Sequence, residues 1–353
     1  MIRNFSKNVV LLIVVTAIVM FAFAGCAKEK AAAEEPTVQA AETTDVGTAK
    51  VTKELKIGYV SMMIAADSNS RAYDSFEKEA EAKGWEIFLT DAAGDIVKVS
   101  ESVMNYVSQK VDVIVITCAE ITPIQEGLDA AKKAGIPVFC IDTGIDDGGA
   151  VVVNVTSNCW AMGAEAAAQI VNKLHGKGNV CIIDMPTLYV HRYRADTARA
   201  VFESADNPGI KILDTEAVTV ANWETGSYDI MSAWLTKYGD DIDAVFGTWD
   251  GIGWSVAKAA ADSGYTKDNM FVMTIDGTSQ TYDMIRNGEP FGGVVAQNFG
   301  GWASKTAELI DEIVVQGKSA ENVVPESKVI YVPHTWIDET NLPAKGADPQ
   351  SIF

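Results

Sequence analysis

The chain runs to 353 residues, 48% of them hydrophobic, with 48 acidic against 28 basic side chains and a formal net charge of -20. That length exceeds what a single hydrophobic core usually serves, so more than one compact lobe is expected. Such an acidic balance argues against nucleic acid as a partner, because phosphate binding rests on clustered Lys and Arg.

The N-terminus carries an export signature. "MIRNFSK" supplies Arg3 and Lys7, "NVVLLIVVTAIVMFAFAG" is an apolar stretch, and Cys26 follows at once. A charged start, a greasy stretch and small residues before a cleavage point describe a secretory signal peptide over residues 1–25. The stretch is also long enough for one membrane-spanning anchor, the competing reading. "FAGC" resembles the bacterial lipobox, with Phe23 in place of the usual leucine, and the resemblance implies an acylated Cys26 as the mature N-terminal residue. Losing Arg3 and Lys7 would take the net charge from -20 to -22. Residues 26–54, rich in Ala, Glu and Thr, can bury too little surface to offset their ordering entropy and read as a flexible tether. A loose coil of that length reaches on the order of 25–30 Å.

From Leu55 onward, apolar segments of strand length alternate with segments of helical spacing. "LKIGYV", "WEIFLTD", "VDVIVIT", "IPVFCID" and "AVVVNV" make a first series, and the helix after the first of them stops at Gly84. These strands lack polar alternation, which predicts a parallel sheet covered by helices on both faces. A second series opens at "GNVCIID" and continues through "IKILDTEAV", "DAVFGTWD" and "MFVMTID". The expected fold is therefore α/β, with two doubly wound parallel-sheet lobes. Residues 55–156 with 298–327 are assigned to the first lobe and 157–297 with 328–341 to the second, so the chain crosses a three-segment hinge.

In open parallel sheets, ligands bind beyond the carboxyl ends of the strands. Asp142, Asp250 and Asp276 all sit at such ends, and two facing lobes would line one cleft with them. Carboxylates and a guanidinium suit a ligand dense in hydroxyls, and Trp223, Trp249 and Trp254 offer flat faces for the C–H side of a ring. Together these groups point to a neutral sugar or polyol. Each has a plainer alternative: Asp250 as a helix cap, Trp254 as core, Asp276 as part of a turn.

Catalysis finds little support. "GIGWSV" lacks the third glycine of a nucleotide cradle, and no nucleophile elbow is present. Asp142 with Asp276 is a conceivable glycosidase pair, but the segments around both acids resemble those of a binding protein rather than an enzyme. With three histidines (His175, His191, His334) and no CxxC spacing, a zinc site is not expected. Cys118, Cys140, Cys159 and Cys181 read as small buried side chains, with disulfide pairing as the alternative for an exported protein.

From about Leu55 to Asn341 the chain resembles the periplasmic sugar-binding proteins of the ribose, galactose and xylose type, subunits of ABC importers. "GIPVFCIDTGID" is similar to the family segment whose acid contacts sugar hydroxyls, which implies that role for Asp142. "AVFGTWDG", "MTIDGT" and "VVAQNF" resemble further family segments and carry ligand roles to Trp249, Asp276 and Gln297, with Asp250 beside them. "HRYRADTARAVF" puts the family arginine at Arg194, and "ANWETG" puts a stacking aromatic at Trp223. The first-strand loop departs from the family: "AADSNSRAY" offers Asp67, Ser68 and Asn69 where relatives place Asn and two Phe. Trp249 replaces a usual asparagine, and Thr143 stands where ribose binders have arginine. The resemblance implies a type I periplasmic binding protein, closing by hinge motion on a neutral sugar or polyol without metal or cofactor. It implies a monomer that meets a membrane permease outside the cytoplasm, held to the membrane by its N-terminal lipid. Sensory delivery to a chemoreceptor or kinase, or a non-sugar ligand such as a nucleoside, is the alternative. A sugar-responsive repressor would instead need a basic helix-turn-helix at the N-terminus.

Overall fold

The computed structural model describes residues 53–144 and 149–353. The expected signal peptide and tether, Cys26 included, lie outside the described residues except for Lys53 and Glu54.

The first series contains β1 (Lys56–Ser61), α1 (Asp67–Lys83), β2 (Glu86–Asp91), α2 (Ile96–Gln109), β3 (Val113–Thr117), α3 (Gln125–Ala134), β4 (Val138–Ile141) and β5 (Val151–Thr156). The second contains α4 (Cys159–Lys173), β6 (Lys177–Asp184), α5 (Tyr189–Phe202), β7 (Gly209–Ala217) and α6 (Trp223–Tyr238). It continues with β8 (Ala244–Gly247), α7 (Asp250–Asp262), β9 (Phe271–Asp276), α8 (Ser279–Asn287) and β10 (Phe291–Gln297). Then come α9 (Phe299–Ile310), β11 (Val329–Tyr331) and β12 (His334–Ile337).

The strands form two six-stranded sheets, ordered β11-β5-β4-β3-β1-β2 and β12-β10-β9-β8-β6-β7. All pairings are parallel except β10 with β12. Central strands β3, β4, β8, β9 and β10 are buried at every residue, whereas the edge strands β2 and β7 mix exposed and covered positions. That contrast is the physical reason the central strands read as continuous apolar runs. Helices α1 and α9 bury Phe76 and Trp302 on one face of the first sheet, and α2 and α3 bury Val103 and Leu128 on the other. In the second sheet, Phe202 of α5 and Met162 of α4 face one side, and Trp234 of α6 and Ile252 of α7 the other.

The chain passes between the sheets after β5, after β10 and between β11 and β12. The helices that follow the first two passages are each capped by an asparagine, Asn158 accepting from Ala161 N and Asn298 from Gly301 N. One assignment made from the sequence is corrected. Residues 329–331 were placed with the second lobe, but Val329, Ile330 and Tyr331 pair with Asn154, Val155 and Thr156 of β5 and extend the first sheet. The short strand carries no side-chain pattern that distinguishes one sheet edge from the other.

Candidate functional site

The carboxyl ends of both sets of strands meet around a cavity of about 60 Å³. On the order of 10–15 Å³ suffices for one water, so this is a ligand-sized recess rather than a packing defect. Ser68, Asn69, Cys118 and Asp142 reach it from the first lobe, and His191, Arg194, Trp249, Asp276 and Gln297 from the second.

Strand ends are held here in unusual backbone geometry. Cys118 (φ 57°), Asp142 (φ 49°) and Asp276 (φ 144°) all have positive φ without being glycine. Such conformations cost energy and persist only where the surroundings enforce them. At the first two, Cys118 N donates to Ile141 O and Asp142 N to Val155 O, so neighbouring strands lock the turns. After Asp276 comes Gly277 (φ 81°), where a Cβ would lie 2.4 Å from that of Ala296. Only glycine lets the chain leave β9 here.

Arg194 is fully buried, and its Nη1 donates to Thr248 O at 2.9 Å and to Asp276 Oδ1 at 3.4 Å. Gln297 Nε2 donates to the same Asp276 oxygen at 2.7 Å. The position of Arg194 depends on Gly163 of α4, because a Cβ there would fall 2.3 Å from Arg194 O. Across the cavity, Asp142 Oδ1 accepts from Thr156 Oγ1 at 2.5 Å. Arg194 Nε and Gln297 Oε1 are buried without a hydrogen-bond partner among the described residues. Leaving such groups unpaired is costly, and a bound polar ligand would satisfy them.

Burial governs the charges. It lifts the Asp276 carboxyl to about 7, with Arg194 opposing and Asp250 and Asp142 adding to the rise. It also raises Asp142, against Arg194 and the Thr156 hydroxyl. Burial works against the Arg194 guanidinium, yet Cys159, Asp276 and Asp142 outweigh it and hold its pKa above the ordinary value. His191 is pushed well below the usual imidazole range by burial and then by Arg194, so its ring is neutral. Two carboxyls, one guanidinium and a neutral imidazole make a cavity with no cationic excess, suited to hydroxyls that both donate and accept.

Several residues singled out from the sequence sit elsewhere. Asp250 is wholly buried and does not line the cavity. Nor does it cap its own helix. It accepts from Thr274 Oγ1 (2.6 Å), Gly277 N (3.1 Å), Thr278 N (3.0 Å), Thr278 Oγ1 (3.0 Å) and Thr281 Oγ1 (2.6 Å), fastening the turn that follows Asp276. Its ligand role is therefore replaced by a structural one. Trp223 stands one layer out, edge-on to Trp249 with ring centres 4.8 Å apart, and Trp249 presents the aromatic wall to the cavity. Trp223 and Trp254 instead border an outer recess of about 370 Å³ with Met63, Ala66 and Gln280, and Trp249 lines both spaces. Asp67 also borders that recess, its carboxylate bonded to Arg71 Nε at 2.6 Å.

Other residues were not anticipated. His191 lies three positions before Arg194, hence on the same helix face, and its Nδ1 is 2.9 Å from Thr248 Oγ1. That spacing could have identified it. Glu120 reaches from the first lobe to the start of α5, where its Oε2 accepts from Tyr189 N (2.9 Å) and Arg192 Nη2 (3.2 Å). At the mouth, Arg71 Nη2 donates to Ser279 Oγ at 2.8 Å, joining α1 to α8. Among the described residues, Cys118, Cys159 and Cys181 form no disulfide. Among the described residues no cluster of His, Cys, Asp or Glu could hold a metal, and no helix is long and apolar enough to cross a membrane.

Comparison with known proteins extends this picture. The chain is 24% identical over 252 residues to the xylitol-binding protein of Mycolicibacterium smegmatis, covering 70% of this chain and 68% of that protein. It is 26% identical over 264 residues to the fructose import binding protein FruE of Bifidobacterium longum, covering 72% and 78% respectively. An ABC sugar transporter subunit from Rhodobacter sphaeroides superimposes with a TM-score of 0.72 at 25% identity, over 81% of this chain and 99% of that one. The sequence profile described as "Periplasmic binding protein domain" matches residues 57–319. Because that span takes in most of the chain and reaches into both lobes, this protein belongs to the periplasmic binding protein domain family.

Proposed function

We propose that the protein captures a neutral monosaccharide or polyol between its lobes, outside the cytoplasm, and hands it to the permease of an ABC importer. The observation that carries this reading is the pairing of Asp142 from one lobe with Arg194, Asp276 and Gln297 from the other. Arg194 Nε and Gln297 Oε1 are left there without partners. A solute that bonds to both sides favours the closed arrangement over an open one, which is how binding becomes a signal to the permease. Xylitol and fructose, named for two relatives, fall in the same chemical class. A phosphate ester does not suit the site, since a dianion would meet two carboxyl groups with one arginine to answer them. The reading needs no catalytic step, metal or cofactor.

Residues 1–25 are read as a signal peptide, Cys26 as the lipid anchor and 26–54 as the tether that holds a monomeric receptor near the membrane. Cys26→Ala is expected to give a protein that carries no acyl chains and differs from wild type in mass, with its folded domain unaffected. Unchanged mass and retention would end the anchor hypothesis. For the ligand, a thermal-shift screen of pentoses, hexoses, their phosphates, polyols, inositols and nucleosides is the direct test, because a ligand that binds the folded chain raises its melting temperature. Stabilisation by neutral hydroxylated solutes supports the reading. Stabilisation by sugar phosphates with no response to neutral solutes overturns it.

A further inference from the structure

The cavity is not uniformly polar, and its polarity follows the order of the strands. Both sheets place the crossing side at β5 and β11, or β10 and β12, and run outward to β2 and β7. Groups next to the crossings are polar: Asp142 after β4, Asp276 ending β9 and Gln297 ending β10. Groups from strands farther out are mostly apolar: Met62 and Met63 after β1, Met185, Leu188 and Val190 after β6, and Val220 after β7. Ser68 and Asn69 after β1, and His191 and Arg194 after β6, are the polar groups supplied from the outer side, and Arg194 reaches back to Asp276 at the crossing side. Met63, Ala66 and Trp249 border both this cavity and the larger tryptophan recess, so the apolar end lies against that recess.

We infer that the natural solute is a sugar bearing an apolar substituent, its hydroxyls at the hinge end and its substituent running past Met63 and Val220 toward Trp223 and Trp254. This rests on the neutral-sugar reading and narrows it. A fully hydroxylated ring would turn some hydroxyls toward thioethers and methyl groups that cannot pair with them, and a buried unpaired hydroxyl is penalised. An alkyl or aryl group meets that wall without such a loss, and flexible methionines adapt to its shape. Each buried carbon favours binding by about fourfold, so a substituent of several carbons gives tenfold or more.

Calorimetry on the full chain with matched pairs decides the matter: D-galactose against phenyl β-D-galactoside, D-glucose against phenyl β-D-glucoside, and D-ribose against 5-deoxy-D-ribose. At least one substituted member should bind about tenfold more tightly than its parent. Val220→Thr, which keeps the volume and adds a hydroxyl, should cut that ratio about threefold or more while leaving ligand-free unfolding in place. Parents that bind as tightly as their partners in every responsive pair overturn the inference and leave the sugar reading standing. A preference that Val220→Thr does not change overturns the placement of the substituent. Silence from every pair, and from xylitol and myo-inositol as well, overturns the sugar reading and the inference with it.

Discussion

Replacing Asp276 with Asn tests whether the cavity is closed and dry around its central acid. Burial raises the Asp276 carboxyl from 3.8 to about 7, while the unfolded chain returns it to about 3.9. Between those values the folded protein holds a proton that the unfolded chain has released. The stabilising contribution is thus complete below about pH 4 and is lost as pH rises through 7. About three pH units at 1.36 kcal/mol each set a ceiling near 4 kcal/mol, so a loss of about 2–4 kcal/mol is expected. Burial raises Asp142, Asp184 and Asp250 too, with the same sign. His191 works in the opposite direction, since its depressed pKa removes stability as pH falls through the ordinary imidazole value. The raw pH profile mixes these contributions, but the difference between wild type and Asp276→Asn isolates one of them. Asn can still accept from Arg194 and Gln297, so the geometry is preserved. Urea denaturation of the ligand-free protein at pH 5 and pH 8 should show the variant gaining about 2–3 kcal/mol relative to wild type, since part of the full effect falls below pH 5. A difference constant within about 0.5 kcal/mol would refute the argument and mean that Asp276 is hydrated.

Three further substitutions separate ligand contact, scaffold and closure. Asp142→Ala should weaken binding of the best neutral ligand by about 2–4 kcal/mol in calorimetry, as for a charged hydrogen bond in a dry site. Asp250→Ala should instead lower unfolding stability by about 3–5 kcal/mol in chemical denaturation, because Thr274, Thr278, Thr281 and Gly277 lose a shared buried acceptor. Glu120→Ala removes a partly exposed contact between lobes and should cost about 1 kcal/mol, read as roughly fivefold weaker affinity for a ligand that Glu120 does not touch.

The parts of the fold legible in the sequence were those written in local pattern. Buried parallel strands must be apolar on both faces, so the runs ending at Thr117, Asp142 and Asp276 announced themselves. The site was legible only to the depth of a strand end. That Asp276 lines the cavity while Asp250 fastens a turn depends on three threonines 24 to 31 residues further along, which no local pattern joins to Asp250. Trp223, expected against the ligand beside Trp249, stands behind it for a similar reason, since helix-start tryptophans look alike until their packing is known. Glu120 gave no signal at all: its partners lie 69 and 72 residues away in the other lobe.

The last two strands carry a consequence for how the molecule comes into being. β11 is needed to finish the first sheet and β12 the second, and they are separated by Val332 and Pro333 alone. Neither lobe can complete its sheet during synthesis until residues 329–337 have left the ribosome. Strand pairings this distant in sequence form slowly, because loop closure must precede any gain from contact. A polypeptide so arranged keeps both sheets short of an edge strand until residues 329–337 have been made.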